Sequence, residues 1–167
     1  MALAIRDAAT DGRDEDFILA LNAACTPAVS DLTRDDLREI AAAAHRVLVA
    51  ESENGPCGFV ILMRPAAPYP SDNYAWFERR FANHLYVDRI AIDASARGQG
   101  VGRALYGEAM KIAAANGDER ITAEVNVEPP NPQSMSFHVA MGFRHLVTRP
   151  SRSGKIVAML ERPLDRR

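Results

Sequence analysis

The longest ordered pattern in the chain is an apolar run followed by a helical stripe. Leu85 to Ile92 is apolar and β-branched, broken only by Asp88 and Arg89. Such a run predicts a strand covered on both faces. Asp93-Ala94-Ser95-Ala96 ends it. From Val101 onward, Leu105, Ala109, Ile112 and Ala113 recur at roughly the 3.6-residue period of a helix, and Asn116-Gly117 is a helix stop.

The flanking segments carry weaker but consistent patterns. Leu3 to Arg6 alternates as a first strand, and Thr10-Asp11-Gly12 predicts a turn. From Asp14, a stripe of Phe17, Ile18, Leu21 and Ala24 predicts a helix that Pro27 closes. A second helix is expected over Thr33 to Ala43, with Thr33 as its N-cap and Leu37, Ile40 and Ala41 facing the core. Arg46 to Ala50 and Cys57 to Met63 read as two strands joined by an Asn54-Gly55 hairpin. Pro65, Pro68 and Pro70 then forbid a regular element, after which Ser71 caps a short expected helix with Tyr74, Phe77 and Phe81 on one face.

Arg120 to Val127 alternates again, with Ile121, Ala123, Val125 and Val127 on one face and Thr122, Glu124 and Asn126 on the other. Asn131-Pro132 opens a helix, because Asn is a preferred N-cap and Pro is preferred at the first helical position; Gly142 stops it. Phe143 to Thr148 and Lys155 to Glu161 predict a closing hairpin around Ser153-Gly154, and Arg162 to Arg167 a solvated tail.

Composition narrows the classes. The 167 residues predict one domain spanning 1–167, and the apolar fraction of 47% with 25% charged residues is that of a soluble globular protein. A net charge of −2 supplies no basic field, so no nucleic-acid partner is expected. No apolar stretch reaches the roughly 18 residues of a membrane span, and the N-terminus lacks an export signal. Cys25 and Cys57 read as reduced thiols, and the expected location is cytoplasmic. His45, His84, His138 and His145 lack metal-ligand spacing, so no metal is expected.

The strand-to-helix turn carries the chemistry. Arg97-Gly98-Gln99-Gly100-Val101-Gly102 has glycines at alternate positions. Glycines there let backbone N–H groups approach a ligand, and the helix they open has unpaired N–H groups and a positive dipole end. A phosphate or pyrophosphate suits that site, with Arg97 and Arg103 at its sides. The same glycines also suit a tight turn without a ligand. A Walker loop needs Gly-Lys-Ser/Thr, and a dinucleotide fingerprint needs Gly-x-Gly-x-x-Gly; neither is present. The turn resembles the acyl-CoA loop of GNAT-type N-acetyltransferases, Gln/Arg-x-x-Gly-x-Gly/Ala, at every position.

A second stretch supports the resemblance. Asn131 to Phe143 is similar to the GNAT pattern Asn-x-x-Ala-x-x-Phe-Tyr-x-x-x-Gly-Phe, with Ser134 in place of Ala and His138 in place of Tyr. The two motifs together cover roughly Leu85 to Phe143. The resemblance implies an α+β fold, a splayed and mostly antiparallel mixed central sheet flanked by helices, in the order β-α-α-β-β-β-α-β-α-β-β. It implies transfer of an acetyl group from acetyl-CoA directly to a primary amine of a small molecule or peptide. The pantetheine arm would pair with the main chain of Ile90, Ala91 and Ile92. The pyrophosphate would sit on Arg97, Gly98, Gln99, Gly100, Val101, Gly102 and Arg103, with Asn131, Ser134 and Phe137 nearby. Such proteins often form dimers, so a homodimer is one expectation.

The reaction needs a neutral amine, a proton acceptor and a route for the leaving thiolate. Asp88 and Glu124 are the candidate bases, with Asp88 preferred; for either, an ion pair with Arg89 is the structural alternative. His138, at the usual Tyr position, is expected to assist thiolate protonation without being indispensable, since a thiol pKa of about 8.5 already makes a tolerable leaving group. Tyr74, Trp76 and Phe77 are expected to shape the acceptor pocket, with an aromatic cluster that only pins a surface loop as the alternative. Two other classes stay open: a non-catalytic acyl-CoA-binding sensor or assembly module, and a nucleotide- or phosphate-binding protein that uses the same loop.

Overall fold

A computed structural model of the chain describes residues 2–9 and 11–165. Thr10 of the expected turn, and Arg166 and Arg167 of the expected tail, lie outside the described residues. The elements are β1 (Ala4–Asp7), α1 (Arg13–Ala24), α2 (Arg34–Ala43), β2 (Arg46–Ser52), β3 (Gly55–Met63), α3 (Asp72–Glu78), β4 (His84–Ile92), α4 (Val101–Asn116), β5 (Arg120–Glu128), α5 (Pro132–Ala140), β6 (Arg144–Pro150) and β7 (Ile156–Pro163). The strands form one sheet in the order β1-β2-β3-β4-β5-β7-β6. Only β4 and β5 run parallel. The result is a mixed, mostly antiparallel sheet flanked by helices, as expected.

Local chemistry accounts for the helix ends. Thr33 and Asp36 form a reciprocal capping box at α2, and Ser71 accepts from the Tyr74 N–H at α3. Asn131 accepts from the Ser134 N–H at α5, with Pro132 at the first helical position. Gly117 ends α4 in the left-handed conformation.

The sheet is covered on both faces, which is why its central strands are not alternating in sequence. One apolar cluster joins Leu85 and Val87 of β4 to Leu105, Ala109 and Ala113 of α4. The opposite one joins Tyr86 and Ala91 to Ile18 and Leu21 of α1, Leu37 of α2 and the aromatics of α3. Two expectations are corrected. Ala41 is exposed, because only Leu37 is fully buried on α2. Arg162 belongs to β7 rather than to a tail: it pairs with Ile121, and its Nε donates to the Met141 carbonyl at 2.8 Å.

β4 and β5 pair only from His84 with Arg120 to Tyr86 with Thr122. Beyond that the strands part. On its other side β4 is irregular too: Val87 pairs with Leu62 and Arg89 with Ile61, leaving Asp88 as the extra residue of a bulge. A bulge bends its strand and re-aims side chains. Here it lets the consecutive residues Asp88 and Arg89 meet, Nε to Oδ2 at 2.8 Å.

Arg89 also ties the sheet to the connection between α1 and α2. Its Nη1 donates to Asn22 Oδ1 at 3.1 Å and to the Ser30 carbonyl at 3.2 Å. Both Arg89 and Asp88 are buried. Arg89→Met is therefore expected to cost about 3–5 kcal/mol in urea denaturation, because it strands a buried carboxylate. Adding Asp88→Asn should recover part of that loss; a double variant no more stable than the single would refute this account.

Candidate active site

A cleft of about 760 Å³ opens where β4 and β5 part. Its floor includes Val87 to Ile92 on one strand and Ala123 to Asn126 on the other. The connection between α1 and α2 forms a wall, held by Asn126 Nδ2 and Lys155 Nζ, which donate to the Pro27 carbonyl at 3.1 and 2.9 Å.

At one end lies the glycine turn. Gly98 and Gly100 have φ of +75° and +85°, values that L side chains rarely adopt. A Cβ at either position would meet open space, so the turn is not glycine-rich for lack of room. Gly102 is different: a Cβ there would come within 2.8 Å of Phe137 Cζ, so this glycine lets α5 pack on the first turn of α4. The N–H groups of Gly98, Gly100, Val101, Gly102 and Arg103 make no hydrogen bond among the described residues. They open a 16-residue helix with no acidic residue in its first turn. Arg97 reaches the Ile92 carbonyl at 3.4 Å and lies 3.8 Å from Cys25 Sγ. Five free donors, two guanidiniums and a helix N-terminus are a donor set that fits a pyrophosphate.

At the other end lie the two carboxyl groups. Glu124 is half-buried in the lining of the cleft and accepts from Tyr86 Oη at 2.7 and 2.9 Å and from Asn73 Nδ2 at 3.3 Å. Burial pushes its carboxyl up to about 8, against the opposing pull of the Tyr86 hydrogen bond. Asp88 is held by Arg89 and by the Tyr69 hydroxyl. Burial and the neighbouring Asp88 push the Tyr69 hydroxyl far above its ordinary range.

His138 lines the cleft but faces inward. Its Nδ1 is 2.8 Å from the Ser134 carbonyl, which can only accept, so Nδ1 carries the proton. Its Nε2 therefore accepts from Tyr106 Oη at 2.7 Å. Burial holds the ring below its ordinary pKa and hence neutral. His138→Phe is expected to leave the Tyr106 hydroxyl unpaired and to cost about 1–3 kcal/mol, read as a fall in Tm, while kcat stays nearly unchanged across pH.

The structure thus brings together Asp88, Glu124, His138, Ile90, Ala91, Ile92, Arg97, Gly98, Gly100, Val101, Gly102, Arg103, Asn131, Ser134 and Phe137. It does not bring Gln99, whose side chain turns back to the Ser95 carbonyl at 2.9 Å. Nor does it bring Tyr74, Trp76 and Phe77, which are buried in the core cluster beneath α3. The wall facing Glu124 is built instead by Tyr69, Ser71, Asp72 and Asn73. Nothing local in the sequence marks Asn73 or Tyr69. Tyr86 sits inside an apolar run, where its sequence position reads as core.

A splayed sheet with a turn of unpaired N–H donors at one end of the gap and a raised carboxyl at the other has the layout of a group-transfer site. Residues 15–143 match the model of the acetyltransferase (GNAT) family, and the chain belongs to that family and is an acetyltransferase. No curated protein sequence matches it. Among solved structures it is similar to Ard1 from Thermoplasma volcanium, with a TM-score of 0.79 and 15% identity over 99% of this chain and 100% of that one. It is similar also to the ribosomal-protein-S18-alanine N-acetyltransferase from Escherichia coli, with a TM-score of 0.74 and 14% identity over 99% and 96%. A third is yncA from Salmonella typhimurium, determined with its cofactor acetyl-CoA, with a TM-score of 0.72 and 20% identity over 100% and 96%. At these identities the likeness is one of fold. Among the described residues no helix is long and apolar enough to cross a membrane, and no group of three or more His, Cys, Asp or Glu residues could hold a metal.

Proposed function

We propose that the protein transfers an acetyl group from acetyl-CoA directly to a primary amine held beside Glu124. The observation that carries this reading is the cleft itself, which runs from a turn of free N–H donors to a half-buried carboxyl group. When bound, acetyl-CoA supplies an activated thioester. The N–H groups of Gly98 and Gly100 to Arg103 hold its pyrophosphate, with Arg97 and Arg103 adding charge. Main-chain groups of Ile90, Ala91 and Ile92, on the edge of β4 that β5 has left, orient the pantetheine arm. Asn131, Ser134 and Phe137 border it.

Glu124 takes the proton from the amine, directly or through water. Asp88, committed to Arg89 and Tyr69, positions the bulge rather than accepting protons. The sign of the pH dependence follows. Below about 8 Glu124 holds a proton and cannot accept another; above it, the carboxylate is available. kcat/KM is therefore expected to rise with pH through about 8, and the acceptor amine, with an ordinary pKa of about 10, adds a further rise.

A non-catalytic acyl-CoA binder is the second reading, favoured by one observation: both nitrogens of His138 are occupied, so the usual Tyr position offers no free donor to a thiolate. Thiol release from acetyl-CoA over amino acids, peptides with free N-termini, polyamines, aminoglycosides and arylamines separates the two, with acetyl-CoA thermal stabilisation alongside. Release on any amine supports transfer. Stabilisation without release supports the binder. Neither would sink the assignment of the Arg97–Gly102 turn to coenzyme A.

A further inference from the structure

Beside the cleft is a second, shallower hollow of about 420 Å³. The two share Tyr69, Ser71, Asp72 and Ser151 as a common wall. The hollow gathers three guanidiniums, Arg79, Arg149 and Arg152, against one carboxylate, Asp72. That carboxylate is already engaged. Its Oδ2 accepts from the Arg152 backbone N–H at 2.9 Å and lies 3.4 Å from Arg149 Nη2. The side chains of Arg79 and Arg152 are exposed, and neither has a carboxylate at ion-pair distance among the described residues. The hollow therefore holds an excess of positive charge at the mouth of a cleft in a protein whose net charge is negative.

The charge is connected to the reacting end. Arg149 Nη1 donates to Asn73 Oδ1 at 2.8 Å, and Asn73 Nδ2 donates to Glu124 Oε1 at 3.3 Å. A single amide group thus spans the distance from the guanidinium to the carboxyl of Glu124. A ligand with an anion at the first and an amine at the second is of similar length.

We propose that this hollow is the anion subsite of the acceptor: the substrate is a small primary amine that carries an oxyanion, carboxylate or phosphonate, within a few bonds of its nitrogen. Guanidinium forks match the oxygens of either group in two-point contact. Arg149 is the fixed member, clamped by Asn73 and Asp72, and Arg79 and Arg152 close on the anion from the residue after α3 and from the turn between β6 and β7. The proposal rests on the amine transfer argued above and deepens it to a substrate class.

The test compares matched acceptors. Each α-amino acid is assayed with its amide, its decarboxylated amine and its aminophosphonate, by thiol release at saturating acetyl-CoA. The wild-type protein and an Arg79→Ala, Arg152→Ala double variant are used. The acid or the phosphonate should exceed the amide and the amine in kcat/KM by about 10- to 100-fold, as charge-assisted hydrogen bonds imply. The double variant should abolish that preference while the KM for acetyl-CoA stays the same. A preference for the acid alone or the phosphonate alone would name the oxyanion. Equal use of amide and acid, or a uniform loss in the variant, would overturn the subsite. If no compound turns over, calorimetry with coenzyme A bound decides. Binding of the acid or phosphonate that the double variant loses would keep the subsite and sink amine acetylation; no binding by either would overturn the subsite itself.

Discussion

Replacing Glu124 with Gln is expected to lower kcat/KM for the acceptor by about 10²- to 10⁴-fold, the range for loss of a positioned acid–base group, and to erase the pH limb near 8. The change is nearly isosteric. A Gln carbonyl can still accept from Tyr86 Oη and from Asn73 Nδ2, the two donors that face Glu124. The fold should therefore survive, and stability gives an internal check. The Glu124 carboxyl is raised in the folded state from an ordinary value near 4.5 to about 8. Its contribution to stability is full below 4.5 and is lost as pH rises through about 8. The Gln variant has no such loss, so it should gain on the wild type between those values. Rate–pH profiles and urea denaturation at pH 5 and pH 9 read the two effects. A variant that keeps both its rate and its limb at 8 would move the base elsewhere. A comparable loss in Asp88→Asn, with the limb retained in Glu124→Gln, would assign the role to Asp88.

The second large effect is expected at the glycine turn. Gly100→Val should weaken acetyl-CoA binding by about 5- to 30-fold, equivalent to about 1–2 kcal/mol. Gly100 sits at φ +85° as the residue before α4, where a β-branched side chain meets its own backbone. Relief of that strain shifts the backbone that carries the N–H groups of Gly100 to Gly102. Gly55→Val is the control. Its φ of +104° imposes a similar strain in the hairpin between β2 and β3, outside the cleft. It should lower Tm without changing the acetyl-CoA dissociation constant. Equal affinity in the two variants would remove the turn from cofactor binding.

The two effects differ in how well the sequence foreshadows them. The glycine turn is a local device: its strand, its left-handed residues and its helix start all fall within a few positions, and each follows from the residue types there. The caps at Thr33, Ser71 and Asn131 are legible for the same reason, since each cap bonds an N–H three residues on. The aromatics of α3 are the counterexample. After three prolines, Tyr74, Trp76 and Phe77 fall on a short expected helix that could face a substrate. Yet Tyr74 Oη donates to the Arg64 carbonyl at 2.5 Å, and the rings of Tyr74 and Phe77 lie 5.3 and 5.7 Å from that of Tyr86. Their burial is decided by a strand that comes later in the chain.

The carboxyl groups divide in the same way. Along a regular strand Asp88 and Arg89 would point to opposite faces, and Asp88 would be free to serve as a base. The bulge against β3 joins them, and pairing with Leu62 and Ile61, more than 20 positions upstream, creates that bulge. Glu124 owes its raised carboxyl to desolvation by the fold, against the pull of hydrogen bonds from Tyr86 and Asn73, which are 38 and 51 residues away. The elements, their caps and the glycine turn with its unpaired N–H groups are legible in the sequence, because those depend on neighbours along the chain. Long-range packing sets which carboxyl is paired with an arginine and which is desolvated, and where the three arginines gather. Charge, burial and hydrogen bonding at a side chain are set by whatever the fold packs against it.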